Sequence, residues 1–160
     1  MQRRALFLAA GVLFAGAAPL RAQAPNFAGT WTVIVDPNAP ARGAGGGGGA
    51  APLSITQDSK ALTISRTTPN GEMKTVYNLD GTDSKNMMGG RGGPTEVLSH
   101  AKWDGSKLVV TSTRDFNGTT VTTTAAYSLD ASGNLVIATT RPPRGGAGDP
   151  VTTTQSYKQS

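Results

Sequence analysis

The sequence predicts an all-β fold: an antiparallel up-and-down meander of ten short strands closed into an 8–10-stranded barrel. Three observations carry the prediction. Beyond the first twenty-two residues, short runs of Val, Ile, Leu, Thr and Tyr recur between turn residues. No window there shows a capped helical stripe. The chain also repeats an Asp-led turn, an aliphatic strand running to an arginine, a Gly-containing turn, and a Thr-rich strand ending in tyrosine. The three copies run from Asp58 through Arg66 to Tyr77, from Asp104 through Arg114 to Tyr127, and from Asp130 through Arg141 to Tyr157.

Residues 1–22 read as a signal peptide. Arg3 and Arg4 form a short positive region, and Ala5 to Ala18 is an uncharged, mostly apolar run. That run is too short to cross a bilayer, which takes about 20 apolar residues. Cleavage is expected after Ala22 or after Ala24. Arg3-Arg4 followed by Ala-Leu-Phe-Leu also has the look of a twin-arginine signal, so the general and the twin-arginine export routes both stay open. Export to the periplasm or outside the cell follows, with no membrane span after the signal is removed.

Residues 23–160 then form one barrel domain. Its first strand is read at 27–36, followed by a Gly-rich segment at 37–51 that is either a plain linker or a lid. Alternating aliphatic and polar residues place strands at 52–57, 61–67, 73–79, 84–88, 95–103, 107–114, 119–128, 134–141 and 151–158. Asp, Asn and Gly tolerate tight turns, and β-branched residues suit a pleated, half-buried surface. Counting strand direction puts the short Asp-led turns at one end. The segments 37–51, 68–72, 89–94, 115–118 and 142–150 fall at the other. Closing the sheet removes two edges that would otherwise template aggregation.

Charge and composition exclude several functions. Arg3, Arg4 and Arg21 leave with the signal, which takes the net charge from +5 to +2, with 12 basic against 10 acidic residues. The high pI therefore gives no argument for a nucleic-acid partner. There is no cysteine, hence no disulfide and no thiol nucleophile, and one histidine, His100, cannot make an ordinary zinc site. No G-x-S-x-G elbow, phosphate loop or EF-hand spacing is present. Strand alternation puts His100 on the outer face, opposite Ser99, Ala101 and Trp103. No cofactor and no enzymatic activity are expected.

The arginines remain. All six of the mature chain (Arg42, Arg66, Arg91, Arg114, Arg141 and Arg144) fall at the loop-rich end, while every lysine but Lys74 falls at or near the other. Arg66 shares a strand face with Leu62 and Ile64, Arg114 with Leu108 and Val110, and Arg141 with Leu135 and Ile137. If the aliphatics face inward, three guanidinium forks point into the barrel below its mouth, suited to a carboxylate or phosphate. Trp31, Tyr77, Tyr127 and Tyr157 are expected as interior lining, there to pack the core or stack on a ligand. The expected ligand is a small, partly apolar anion or amphiphile. The rival is a structural or envelope-interaction protein with a filled barrel. A cavity of ~300 Å³ or more beside the arginines separates the two.

At Gly29-Thr30-Trp31 the chain resembles the lipocalin and wider calycin barrels, whose first strand opens with G-x-W. The resemblance implies a tryptophan packed near the closed end and a long first loop at the open mouth, where 37–51 falls. The C-terminal helix of lipocalins has no counterpart. Ten strands are closer to the fatty-acid-binding branch, in which an interior arginine and tyrosine hold a carboxylate. Arg141 and Tyr157 are the nearest analogues on that resemblance. The chain is also similar in texture to exported bacterial proteins that share an N-terminal G-T-W.

Overall fold

Ten antiparallel strands make one sheet that curls into a nearly closed barrel, in a computed structural model describing residues 24–35, 51–68, 71–90, 93–116, 118–143 and 148–160. Residues 1–23, where the signal peptide is expected, most of the 37–51 segment, Arg42, Arg91 and Arg144 lie outside the described residues. In chain order the strands are β1 (Gly29–Val33), β2 (Leu53–Gln57), β3 (Ala61–Thr68), β4 (Gly71–Asn78) and β5 (Ser84–Gly90). They continue with β6 (Gly93–Asp104), β7 (Lys107–Phe116), β8 (Thr119–Leu129), β9 (Leu135–Arg141) and β10 (Val151–Gln159). No helix occurs among the described residues, so none there is long and apolar enough to cross a membrane.

The spatial order is β4-β3-β2-β1-β10-β9-β8-β7-β6-β5. Every pair of strands consecutive in sequence is joined by a backbone ladder except β4 and β5, which lie beside each other without one. The meander closes instead through β1 and β10, which pair Trp31 with Gln159 and Val33 with Tyr157.

Short Asp turns close one end. Asp58 accepts from the Lys60 and Ala61 amides at 2.7 and 2.8 Å, and Asp130 from the Ser132 and Asn134 amides at 2.8 and 2.9 Å. Each carboxylate satisfies turn N–H groups that the strands leave without partners.

The first strand starts two residues later than its sequence suggests. Phe27 is not part of the ladder; it turns under the barrel and is fully buried. Its ring stacks on Trp103 at 5.9 Å and lies 6.5 Å from Tyr127. Gln57 holds this plug from both sides, accepting from the Phe27 amide at 2.8 Å and donating to the Pro25 carbonyl at 3.1 Å. The Trp31 indole donates to the Phe27 carbonyl at 2.8 Å. Gly29 makes the bend with φ +143°, and a Cβ there would run into the Gln159 amide.

Inward-facing residues form one packed floor inside the barrel: Phe27, Trp31, Leu53, Leu62, Leu108 and Leu135 are at most 2% exposed. The upper half has a different texture. Thr75, Ser112, Thr123, Thr139, Thr153 and Gln155 face inward by register and are only half-buried. Among the described residues the interior is therefore tightly packed below and only half-buried above.

Candidate functional site

Where the floor gives way to the half-buried upper interior, a cavity of about 120 Å³ lies against β3, β4, β5 and β8, lined by Ile64, Arg66, Met73, Thr75, Tyr77, Met88 and Tyr127. Alternation brings these residues together. On β3, Ile64 and Arg66 continue the inward row begun by Leu62; on β4, Met73, Thr75 and Tyr77 form the facing row. Tyr127 reaches in from β8 across from Leu108.

Arg66 is half-buried and is the cavity's one formal charge. Tyr77 and Tyr127 sit with ring centroids 6.2 Å apart, and their hydroxyls share a hydrogen bond. Burial pushes the Tyr77 phenol above its ordinary pKa and the Tyr127 phenol well above it. Tyr157 is raised by burial as well, and its hydroxyl donates to Gln155 Oε1 at 2.7 Å. The positive charge of Arg66 pulls all three phenols the other way, so it reaches each of them. At neutral pH the three phenols are uncharged; Tyr157 donates to Gln155 and Tyr127 to Tyr77, which leaves the Tyr77 hydroxyl as the donor beside Arg66.

The other two strand-end arginines stand elsewhere. Arg114 is exposed, with Nη1 3.9 Å from the Met88 sulfur, and borders a shallow groove of about 380 Å³ lined also by Glu96, Leu98, Thr113 and Asp115. Two carboxylates in that groove oppose an anion there. Arg141 is exposed at the end of β9.

The pairing of Arg141 with Tyr157 implied by the resemblance is not what the register makes. Arg141 lies opposite Val151 and Tyr157 opposite Leu135, six residues apart along β9, about 20 Å at the rise of a strand. Arg66 takes that place, being the arginine whose charge Tyr157 feels. Trp31 is 2% exposed in the core, opposite Leu53 on β2 and Gln159 on β10, and does not line the cavity. Met73, Thr75 and Met88 escaped notice in the sequence, although the spacing Met73-x-Thr75-x-Tyr77 carries the signal. His100 is on the outer face, its Nδ1 3.0 Å from Asp83.

No protein-family model matches this chain, and no curated protein matches it by sequence. Solved structures do match. The fluorescent protein UnaG superposes with a TM-score of 0.58 and 23% identity, over 84% of this chain and 97% of its own. The fatty acid transporter REP1-NXSQ superposes with a TM-score of 0.56 and 15% identity, over 83% of this chain and 95% of its own. At these identities the likeness is one of fold: the barrel is lipocalin- or calycin-like.

Proposed function

We propose that this chain is an exported, non-enzymatic barrel that holds one small, partly apolar anion in the cavity at Arg66. The observation that carries the reading is the placement of Arg66 beside Tyr77 and Tyr127 on top of a dry floor. A guanidinium there offers a planar fork to a carboxylate, and the neutral Tyr77 phenol adds a donor without adding charge. Ile64, Met73 and Met88 give the rest of the molecule an apolar seat. The likeness to a fatty acid transporter supports binding of a small amphiphile.

A second reading, a structural barrel without a ligand, draws on one number. The cavity's volume of about 120 Å³ is below the ~300 Å³ at which ligand pockets usually begin. The half-buried inward residues of the upper interior weigh against it, because they are not packed as the floor is.

Titration with the amphiphilic anion 8-anilinonaphthalene-1-sulfonate decides between them. The binding barrel gives saturable one-to-one fluorescence enhancement, weakened about tenfold or more by Arg66→Gln, the loss of one charge-assisted contact. A double variant Arg114→Gln/Arg141→Gln stays close to wild type. No saturable binding, or binding indifferent to Arg66→Gln, favours the filled barrel.

A further inference from the structure

Resting on that reading, we infer that the ligand is a hydroxylated aromatic acid: a carboxylate on a ring that carries phenolic or similar hydroxyls. An unbranched fatty acid does not suit the same walls. The inference comes from the contrast between the two sides of the upper interior.

The Arg66 side is a seat for a flat ring. Two phenol rings, two thioethers and Ile64 surround it, and thioether sulfur packs well against aromatic edges. A carboxylate on that ring meets Arg66 and the Tyr77 hydroxyl, which the Tyr127 hydroxyl backs.

The opposite wall carries hydroxyls. On β9 and β10 the row above Ile137 and Gln155 reads Thr139 and Thr153, continued by Ala125 on β8 and Val110 on β7, and Thr123 and Ser112 pair one step further along β8 and β7. Gln155 pairs with Ile137, which pairs with Tyr127, so this wall begins level with the cavity. The Ser112 hydroxyl is engaged with Ser99 at 2.9 Å. Thr139 and Thr153 face each other across the β9–β10 ladder, and among the described residues neither hydroxyl has a hydrogen-bond partner. On the outer face of the same two strands, Thr140 and Thr152 bond each other at 2.8 Å. The outer pair is self-satisfied, and the inner pair is turned to the lumen.

An alkyl tail laid along this wall would displace water from hydroxyls and return no hydrogen bond, which costs more than the buried methylenes gain. A fully polar sugar acid would waste the ring seat beside Arg66. A ring acid bearing hydroxyls satisfies both sides.

Calorimetric titration with three acids tests this: 3,4-dihydroxybenzoate, benzoate and decanoate. The inference expects 3,4-dihydroxybenzoate to bind at least tenfold more tightly than either of the others. It also expects the near-isosteric double variant Thr139→Val/Thr153→Val to lose most of the margin over benzoate. Equal or tighter binding of benzoate or decanoate overturns it, as does a margin that survives in the double variant. In those cases binding that is lost in Arg66→Gln leaves the anion site standing. If none of the three acids binds, the anion site falls as well.

Discussion

Asn86 supplies a rung that the backbone does not. Its Oδ1 accepts from the Val76 amide at 2.8 Å and its Nδ2 donates to the Val76 carbonyl at 2.9 Å, so one side chain copies a β-ladder pair across the β4–β5 seam. Met88, two residues further along β5, and Thr75, beside Val76 on β4, both line the cavity. The seam is thus one wall of the site, held by a side chain.

Replacing Asn86 with leucine should therefore loosen the seam in particular. Both Val76 groups would lose their partner in a half-buried place, a cost of about 1–3 kcal/mol. Amide hydrogen exchange should quicken at Val76 by more than at Val110, which is fully paired in the middle of β7. Equal change at both sites would mean that the seam opens only with the whole barrel.

Phe27→Ala should be among the most damaging single changes, at about 3–5 kcal/mol for a large buried ring. The ring closes the floor between Trp103 and Tyr127. Trp31→Phe keeps most of the packing and removes the indole bond to the Phe27 carbonyl, so it should cost about 0.5–1.5 kcal/mol plus a small packing loss. Urea unfolding of both variants checks the order.

Stability should fall on the alkaline side. Tyr77, Tyr127 and Tyr157 all have folded pKa values raised above the ordinary 10.0. Above pH 10 the unfolded chain sheds these protons while the folded chain keeps them, so folding loses ground until the raised values are reached. Each tyrosine adds a slope of about 1.4 kcal/mol per pH unit within that window. Urea midpoints between pH 9 and 12 should drop with a slope set by more than one proton.

On the acid side the sign reverses. Asp130 is lowered by the Asn134 side chain and by the Asn134 and Ser132 amides, Asp58 by the Lys60 and Ala61 amides, and Asp80 by the Thr82 hydroxyl and amide. Their contribution is whole above the ordinary carboxylate value of 3.8 and fades as pH falls through the lowered ones. Asp130→Ala should flatten part of the acid limb of an unfolding-against-pH curve, and an unchanged limb would count against this role.

Strand order and the positions of the Asp turns were legible because they rest on local chemistry. An Asp turn before an aliphatic run reads the same in the sequence as in the barrel. Arg66 was legible as an interior arginine for the same reason. Arg114 and Arg141 obey the same alternation but stand six residues from Leu108 and Leu135, whereas Arg66 stands four from Leu62. Alternation gives the face of a strand and not the height, and one step more carries the side chain out of the mouth. Height depends on register around the whole barrel, which no short window holds. Phe27 was misread because an apolar residue just before a strand looks like its first member. Asn86 left no signal, since a side chain that imitates backbone pairing has no spacing of its own.

The claim on which the account stands is an organic anion held inside the barrel by Arg66. Native mass spectrometry of the protein purified from the cells that produce it tests this most directly. The account predicts one small organic acid per chain on the wild type, absent from Arg66→Gln and retained by Arg114→Gln/Arg141→Gln. A folded wild-type protein at its bare mass, or an adduct that survives in Arg66→Gln, would contradict it.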